Sequence, residues 1–134
     1  MPIDLSSVAA LADLVAARVV GHDRLIVGIV GAPGAGKSTI AAELVGILNA
    51  GGIPSAPLPM DGYHYDDLYL VPAGLRPRKG APQTFDVGGL FHTLRRLRER
   101  DEAEVAVPVF DRTIEIARAG ARLIPASVPV IVVE

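Results

Sequence analysis

The segment GAPGAGKST, Gly31 to Thr39, carries the strongest structural signal in this chain of 134 residues. Its glycines and its Lys-Ser pair match the pattern G-x-x-x-x-G-K-[ST]. The segment follows LIVGIV, Leu25 to Val30, a short aliphatic run typical of a buried strand. It leads into STIAAELVGILNAGG, in which apolar residues recur at helical spacing until Gly51 and Gly52. A glycine-rich turn with an accidental Lys-Ser pair would need neither flanking element, so the context favours a phosphate-binding loop.

The spacing within this loop has a physical reason. Glycines let successive backbone N–H groups surround phosphate oxygens, and the next helix directs its positive end at the same anion. Lys37 is expected to reach the β- and γ-phosphates and to act in catalysis, and Ser38 to offer its hydroxyl to Mg²⁺. The sequence therefore predicts ATP and Mg²⁺ as cofactors. The predicted nucleotide-binding residues are Gly31, Ala32, Pro33, Gly34, Ala35, Gly36, Lys37, Ser38 and Thr39.

Four further motifs follow the loop: DGYH at Asp61–His64, RKGAPQTFD at Arg78–Asp86, PVFDR at Pro108–Arg112, and VVE ending at Glu134. In order and spacing the set resembles the P-loop kinases of small hydroxylated metabolites. That group contains uridine kinase, phosphoribulokinase and the bacterial type of pantothenate kinase. The form RKGAPQTFD is closer to the pantothenate kinase pattern than to the uridine kinase one, but it does not identify the acceptor.

The resemblance implies a role for each matched residue. Asp61 corresponds to the base that takes the proton of the acceptor hydroxyl. Glu134 corresponds to the acidic partner of Mg²⁺, alongside Ser38. The residues that the resemblance places at the acceptor are Tyr63, His64, Arg78, Lys79, Asp86 and Arg112.

Some of these roles have alternatives in the sequence alone. Asp61 is also compatible with a turn-forming aspartate or a second metal-associated carboxylate, and Glu134 with a solvent-exposed strand end. His64 is equally compatible with a packing or N–H donor role. The segment MDGYHYDDLY, Met60 to Tyr69, holds all three tyrosines of the chain. We interpret it as the acceptor side of the active site, at a strand end facing the phosphate loop, where Gly62 lets the backbone turn close to the substrate.

Apolar spacing and turn residues predict the remaining elements. They are an amphipathic helix from Leu5 to Val19 that stops at Gly21, an extended piece at 54–60, a loop at 61–85, a helix at 87–100 capped by Asp86, a strand at 104–110, a β-hairpin at 113–126 with its turn near Ala119-Gly120, and a strand at 128–134. Alternating strands and helices indicate an α/β fold. Together with this alternation, the resemblance to P-loop kinases implies a three-layer P-loop nucleoside triphosphate hydrolase fold. We expect a mainly parallel, incomplete sheet and a β-hairpin insertion.

Composition limits the partners. The chain has 13 basic and 15 acidic residues and no cysteine, half of it is apolar, and no apolar run approaches the length that spans a bilayer. We therefore expect no nucleic acid, no membrane and no disulfide or thiolate-bound metal, and a cytoplasmic location. The expected partner is a small hydroxylated molecule. A homodimer is compatible with the sequence.

The leading functional hypothesis is an ATP-dependent kinase of a nucleoside, a sugar or a pantothenate-like alcohol. The alternative is a nucleotide-binding NTPase or a regulator without small-molecule kinase activity. A GTPase-type switch would need a D-x-x-G motif after a strand and an N-K-x-D motif, and the sequence has neither. Residues 1–134 are expected to form a single P-loop kinase domain that lacks its C-terminal part, the lid and adenine pocket, and therefore to be catalytically crippled alone.

Overall fold

A computed structural model of the chain describes residues 7–32 and 34–134. The principal elements are α1 (Val8–Val19), β1 (Leu25–Gly28), α2 (Lys37–Ala50), β2 (Ser55–Leu58), α3 (Asp67–Leu70), α4 (Val87–Glu99), β3 (Glu104–Asp111), β4 (Ile116–Pro125) and β5 (Val130–Val133). They fall into two units. The first comprises Met1–Leu58 with Ser127–Glu134, and the second comprises Pro59–Ala126.

The first unit is built on a parallel sheet of three strands in the order β1-β5-β2. Val130 of β5 pairs with Leu25 on one side and with Ser55 on the other. Every β5 residue from Val130 to Val132 is fully buried, as expected of a central parallel strand. The predicted α/β fold with a parallel sheet is confirmed. The strand expected over Leu25–Val30 is shorter, since Val30 lies outside it and is 91% exposed.

Helices α1 and α2 form the core of this unit with alternate residues of β5. Ser7 caps α1 by accepting a hydrogen bond from the Ala10 N–H at 3.1 Å, which satisfies one of the unpaired donors of the first turn. The predicted first helix is confirmed from Val8, while Leu5 lies outside the described residues. The buried side chains of the core are Ala12, Val15, Ala41, Leu44, Leu48, Val130 and Val132.

The second unit contains the antiparallel hairpin β3–β4, helix α4 and a run of short helical turns. The predicted loop at 61–85 was wrong in detail, because α3 and single 3₁₀ turns at Met60–Tyr63, Arg76–Arg78 and Pro82–Thr84 occupy much of it. The predicted cap of α4 is confirmed, since an Asp86 carboxylate oxygen accepts a hydrogen bond from the Gly89 N–H at 2.9 Å.

The hairpin predicted at 113–126 was placed wrongly. Its turn lies at residues 112–115, and residues 116–125 form one continuous strand, β4. Gly120, expected at the turn, has φ of 63° inside an irregularity where β4 has three residues opposite Pro108 of β3. Proline has no N–H to donate to the ladder, so a bulge opposite it disrupts little pairing. Ala119-Gly120, which predicted a turn, therefore belongs to a bulge in β4.

Candidate functional site

The predicted phosphate loop connects β1 to α2 in the first unit, and the geometry suits an anion. Gly34 and Gly36 have φ of 79° and 83°, a left-handed backbone that residues with a side chain rarely adopt. Gly36 is the residue from which α2 begins, and no side chain caps this helix. The free N–H groups and the positive dipole end of a helix of 14 residues are therefore available to a phosphate.

Lys37 is the first residue of α2, and its side chain folds back over the loop. Its Nζ donates a hydrogen bond to the Gly31 carbonyl oxygen at 2.8 Å. The ammonium group is thus held against the loop that it is predicted to serve. Ala32, Ala35 and Thr39 are exposed along the same loop, whereas Pro33 lies outside the described residues.

Ser38 and Glu134, the two predicted Mg²⁺ residues, are 96 positions apart in sequence but in contact. The Ser38 hydroxyl donates to Glu134 Oε2 at 2.9 Å. They meet because β1 and β5 are parallel neighbours, with Gly28 paired to Val133, so the segments that follow both strands leave the same edge of the sheet. Within 7–32 and 34–134 no cluster of three or more acidic, histidine or cysteine side chains could hold a metal. A hydroxyl and one carboxylate fit a cation that takes its other oxygens from phosphates and water, as Mg²⁺ does.

Asp61 lies in the second unit, in the 3₁₀ turn Met60–Tyr63, three residues after the end of β2. Its carboxylate is 34% exposed and accepts a hydrogen bond from Arg112 Nη2 at 2.7 Å. Arg112, from the β3–β4 turn, is 73% exposed, so solvent screens this ion pair. Both predicted residues therefore meet at one surface of the second unit.

His64 lies beside Asp61, and its ring packs against two aromatic rings. The ring centroids of Phe85 and Phe110 are 4.1 Å and 4.9 Å from that of His64. His64 Nδ1 is 2.8 Å from the Asp61 carbonyl oxygen, which can only accept, so this nitrogen carries the proton. Nε2 of the neutral ring is then left as an acceptor.

Lys79 is held in place by several groups, although its predicted role was acceptor binding. Its side chain is only 7% exposed, and Nζ donates to Asp67 Oδ1 at 3.1 Å and to the Glu115 carbonyl oxygen at 2.9 Å. Nζ also lies 5.4 Å from the centroid of the Phe110 ring, within the range of a cation–π contact. The hydrogen bond from Lys79, and then that from Arg76, holds the pKa of Asp67 below its usual value.

One cavity of about 450 Å³ collects these groups within the second unit. It is lined by Asp61, His64, Arg76, Lys79, Phe110, Arg112 and Glu115. Its volume is in the range of small-molecule pockets, and it contains a carboxylate, an imidazole and several hydrogen-bond donors. Such a surface can orient a hydroxylated molecule and accept a proton from it.

Three residues predicted at the acceptor do not line this cavity. Arg78 is exposed elsewhere on its turn. Tyr63 is 7% exposed, and its buried hydroxyl has no partner of good hydrogen-bond geometry among the described residues. Burial raises the pKa of Tyr63 above its usual value. Because its side chain is buried, Tyr63 packs inside the second unit and does not face the cavity. The carboxylate of Asp86 is used by the cap of α4.

Arg76 and Glu115 line the cavity but were not predicted. Arg76 lies two residues before the motif that drew attention to Arg78. Glu115 has φ of 57°, a conformation uncommon for a residue with a side chain, and no pattern in the sequence marks it. Its closeness to that motif was the only signal for Arg76, and Glu115 had none.

Gly62 was expected to bring the backbone close to a substrate, but it packs inside the unit instead. An added Cβ at this position would lie 2.9 Å from the Pro108 carbonyl oxygen and 3.0 Å from Pro108 Cγ. The absence of a side chain lets the turn that carries Asp61 approach β3. Gly62 therefore supports the position of Asp61.

We expect Gly62→Ala to lower the free energy of unfolding by about 1–3 kcal/mol, because neither the turn nor Pro108 can move without loss of packing. Urea denaturation measures the change. Gly88→Ala in the first turn of α4 is the matched control, since its Cβ would meet nothing closer than Asp86 Oδ1 at 3.9 Å. A similar loss in both variants would contradict the packing explanation.

No model of a known protein family matches the chain. A candidate uridine kinase of Schizosaccharomyces pombe is 32% identical over 117 residues, which cover 83% of this chain and 50% of that protein. A pantothenate kinase of Coxiella burnetii is 32% identical over 89 residues, which cover 63% of this chain and 27% of that protein. The chain thus spans half or less of the length of these curated relatives.

The fold gives a stronger likeness. The crystal structure of a candidate fructose transport system kinase from Silicibacter sp. TM1040 superposes with a TM-score of 0.87 and 40% sequence identity, covering 97% of this chain and 63% of that one. This likeness confirms the P-loop kinase fold that the motifs predicted. By sequence and by fold, the chain is similar to the P-loop kinases of the group that includes uridine kinase and bacterial pantothenate kinase.

Proposed function

We propose that the protein transfers the γ-phosphoryl group of ATP to a hydroxyl of a small metabolite. The observation that carries the proposal is the contact between Ser38 Oγ and Glu134 Oε2 at 2.9 Å beside the phosphate loop. A hydroxyl at the start of a helix and an acid at a strand end are what P-loop enzymes use around Mg²⁺ and the β- and γ-phosphates. A loop that only bound a phosphate would not need this pair.

The residues of the first unit bind and orient the nucleotide. The loop N–H groups and the N-terminus of α2 hold the phosphates, and Lys37 leaves its bond with Gly31 to reach the oxygens between them. Ser38 and Glu134 would hold Mg²⁺, which would supply positive charge to neutralise the transferring phosphoryl group. These residues supply positioning and electrostatic stabilisation, the main demands of phosphoryl transfer.

The residues of the second unit act on the acceptor. Asp61 accepts the proton of the acceptor hydroxyl, that oxygen forms a bond to the γ-phosphorus, and the bond from the γ-phosphorus to the bridging oxygen breaks to release ADP. The Arg112 guanidinium orients the Asp61 carboxylate through its hydrogen bond of 2.7 Å. His64 and the cavity around it hold the rest of the acceptor.

The names of the relatives suggest nucleosides, pantothenate and sugars as the acceptors to test. The test is ADP release from MgATP by the whole protein with each alcohol, compared with release in its absence. Acceptor-dependent release with a stoichiometric phosphate ester as product supports the kinase proposal. Nucleotide binding without acceptor-dependent release across the panel would favour the alternative of an NTPase or regulator.

A further inference from the structure

The cavity around Asp61 is lined by more cations than carboxylates. Arg76, Lys79 and Arg112 line it, against Asp61 and Glu115. Asp67 does not line the cavity, but it binds two of the three cations. With Asp67 counted, three positive charges meet three negative ones, so these side chains together carry no net charge. Any preference for a charged ligand must come from hydrogen-bond donors that are free and correctly aimed.

All three cations have a protein partner, and in two of them, Lys79 and Arg112, that partner occupies a terminal nitrogen. Lys79 is nearly buried and donates to the Asp67 carboxylate and to the carbonyl oxygen of Glu115. Arg112 donates through Nη2 to Asp61, at 2.7 Å. Neither presents a complete pair of terminal donors to a ligand, because Lys79 uses its ammonium group on two protein oxygens and Arg112 uses one of its two terminal Nη groups on Asp61.

Arg76 differs from both. It donates through Nε to the Asp67 carboxylate at 3.0 Å, which fixes the plane of the guanidinium. Its side chain is 43% exposed, and none of the residues that the structure describes accepts a hydrogen bond from its terminal Nη groups. A guanidinium anchored at Nε presents two parallel N–H donors, an arrangement that matches a carboxylate or a phosphate and exceeds what one hydroxyl can accept.

We infer that the acceptor carries an anionic group, a carboxylate or a phosphate, and that Arg76 binds it while the acceptor hydroxyl lies at Asp61. The inference rests on the proposed function for the hydroxyl and on the free donors of Arg76 for the anion. Both residues line the same cavity of about 450 Å³, which is large enough for a small hydroxy acid or a sugar phosphate.

The experiment compares matched ligands on two carbon skeletons. Glycerol, glycerate and glycerol 3-phosphate form one series, and sorbitol, gluconate and sorbitol 6-phosphate form the other. Affinity is measured by NMR titration without nucleotide, and ADP release from MgATP by the whole protein is measured in parallel. The protein is tested unchanged and as Arg76→Gln, Arg76→Lys and Arg78→Gln. Arg78 is the matched control, because it lies on the same turn and does not line the cavity.

We expect an anionic ligand to bind about 10- to 100-fold more tightly than its neutral polyol, the usual gain from charged hydrogen bonds. Arg76→Gln should remove this preference, Arg76→Lys should retain part of it, and Arg78→Gln should keep it. The larger gain in affinity over glycerol shows which anion Arg76 prefers: a carboxylate if glycerate gains more, and a phosphate if glycerol 3-phosphate does. Thermal melts establish whether the variants fold. If Arg76→Gln does not fold, Arg76→Lys is used in its place to test for a weakened anion preference.

Two results would overturn the inference. One is equal binding of the neutral and anionic members on both skeletons, and the other is an anion preference that survives in Arg76→Gln. An Arg76-dependent preference without acceptor-dependent ADP release would uphold the inference about the ligand and overturn the kinase proposal. Phosphorylation of the neutral members alone would uphold the kinase proposal and overturn the inference.

Discussion

The Lys37→Ala variant is expected to lose MgATP binding by about 100-fold or more while it stays folded. Lys37 would contribute charged hydrogen bonds to two phosphates, each worth about 1.5–3 kcal/mol. Among the described residues it donates to the Gly31 carbonyl oxygen, in a loop that is largely exposed. Loss of that bond costs the fold only about 1 kcal/mol. Calorimetry measures the nucleotide affinity, and thermal melting measures the fold.

Arg18→Ala is the matched control for this variant. It removes one positive charge from the same unit, in the last turn of α1, and should leave the affinity for MgATP nearly unchanged. Unchanged affinity in Lys37→Ala would refute the assignment of the loop. Equal losses in the two variants would mean that the overall charge of the unit attracts the nucleotide.

In the whole protein, the Asp61→Asn variant is expected to lower kcat by about 10²–10⁴-fold, the usual contribution of a general base. Asparagine keeps the shape of the side chain but cannot take the proton of the acceptor. The nucleotide affinity should stay within a few-fold, because the phosphate-binding residues belong to the first unit. Steady-state kinetics with the acceptor found by the ADP-release test, together with a titration of Mg²⁺, checks both statements.

Asp66→Asn is the control for this second change, since it makes the same substitution in the same segment. Asp66 accepts the Leu68 N–H as the cap of α3, a role that asparagine performs about as well. Normal turnover in Asp61→Asn would remove Asp61 from the mechanism. A shifted Mg²⁺ requirement would instead make it a metal-associated carboxylate, the alternative that the sequence left open.

The parts of the fold that were predicted correctly are those in which several local signals agree. The loop at Gly31–Thr39 has a strand before it, a helix after it and glycines at the positions that need a left-handed backbone. Asp86 is followed by residues with helical spacing, and it caps the helix that they form. In both places each local preference supports the same structure, so the sequence was sufficient.

The wrong predictions come from signals that have two physical meanings. Ala119-Gly120 is compatible with a turn or with a bulge, and only the partner strand with Pro108 distinguishes them. Arg76 and Arg78 lie two positions apart on a 3₁₀ turn of three residues per turn, so their side chains project in different directions. The burial of Tyr63 depends on packing within the second unit, which no local pattern records.

The pairing of β5 with both β1 and β2 has a consequence for the order in which the chain acquires its structure. In the part of the chain described, β1 and β2 have no strand partner other than β5. A ribosome must therefore complete Val130–Val133 before either of the earlier strands can pair. The residues Pro59–Ala126 are contiguous and contain their own hairpin, so they can close shorter loops first. In refolding followed by pulsed hydrogen exchange, we expect amides of β3 and β4 to become protected before those of β1; simultaneous protection would contradict this order.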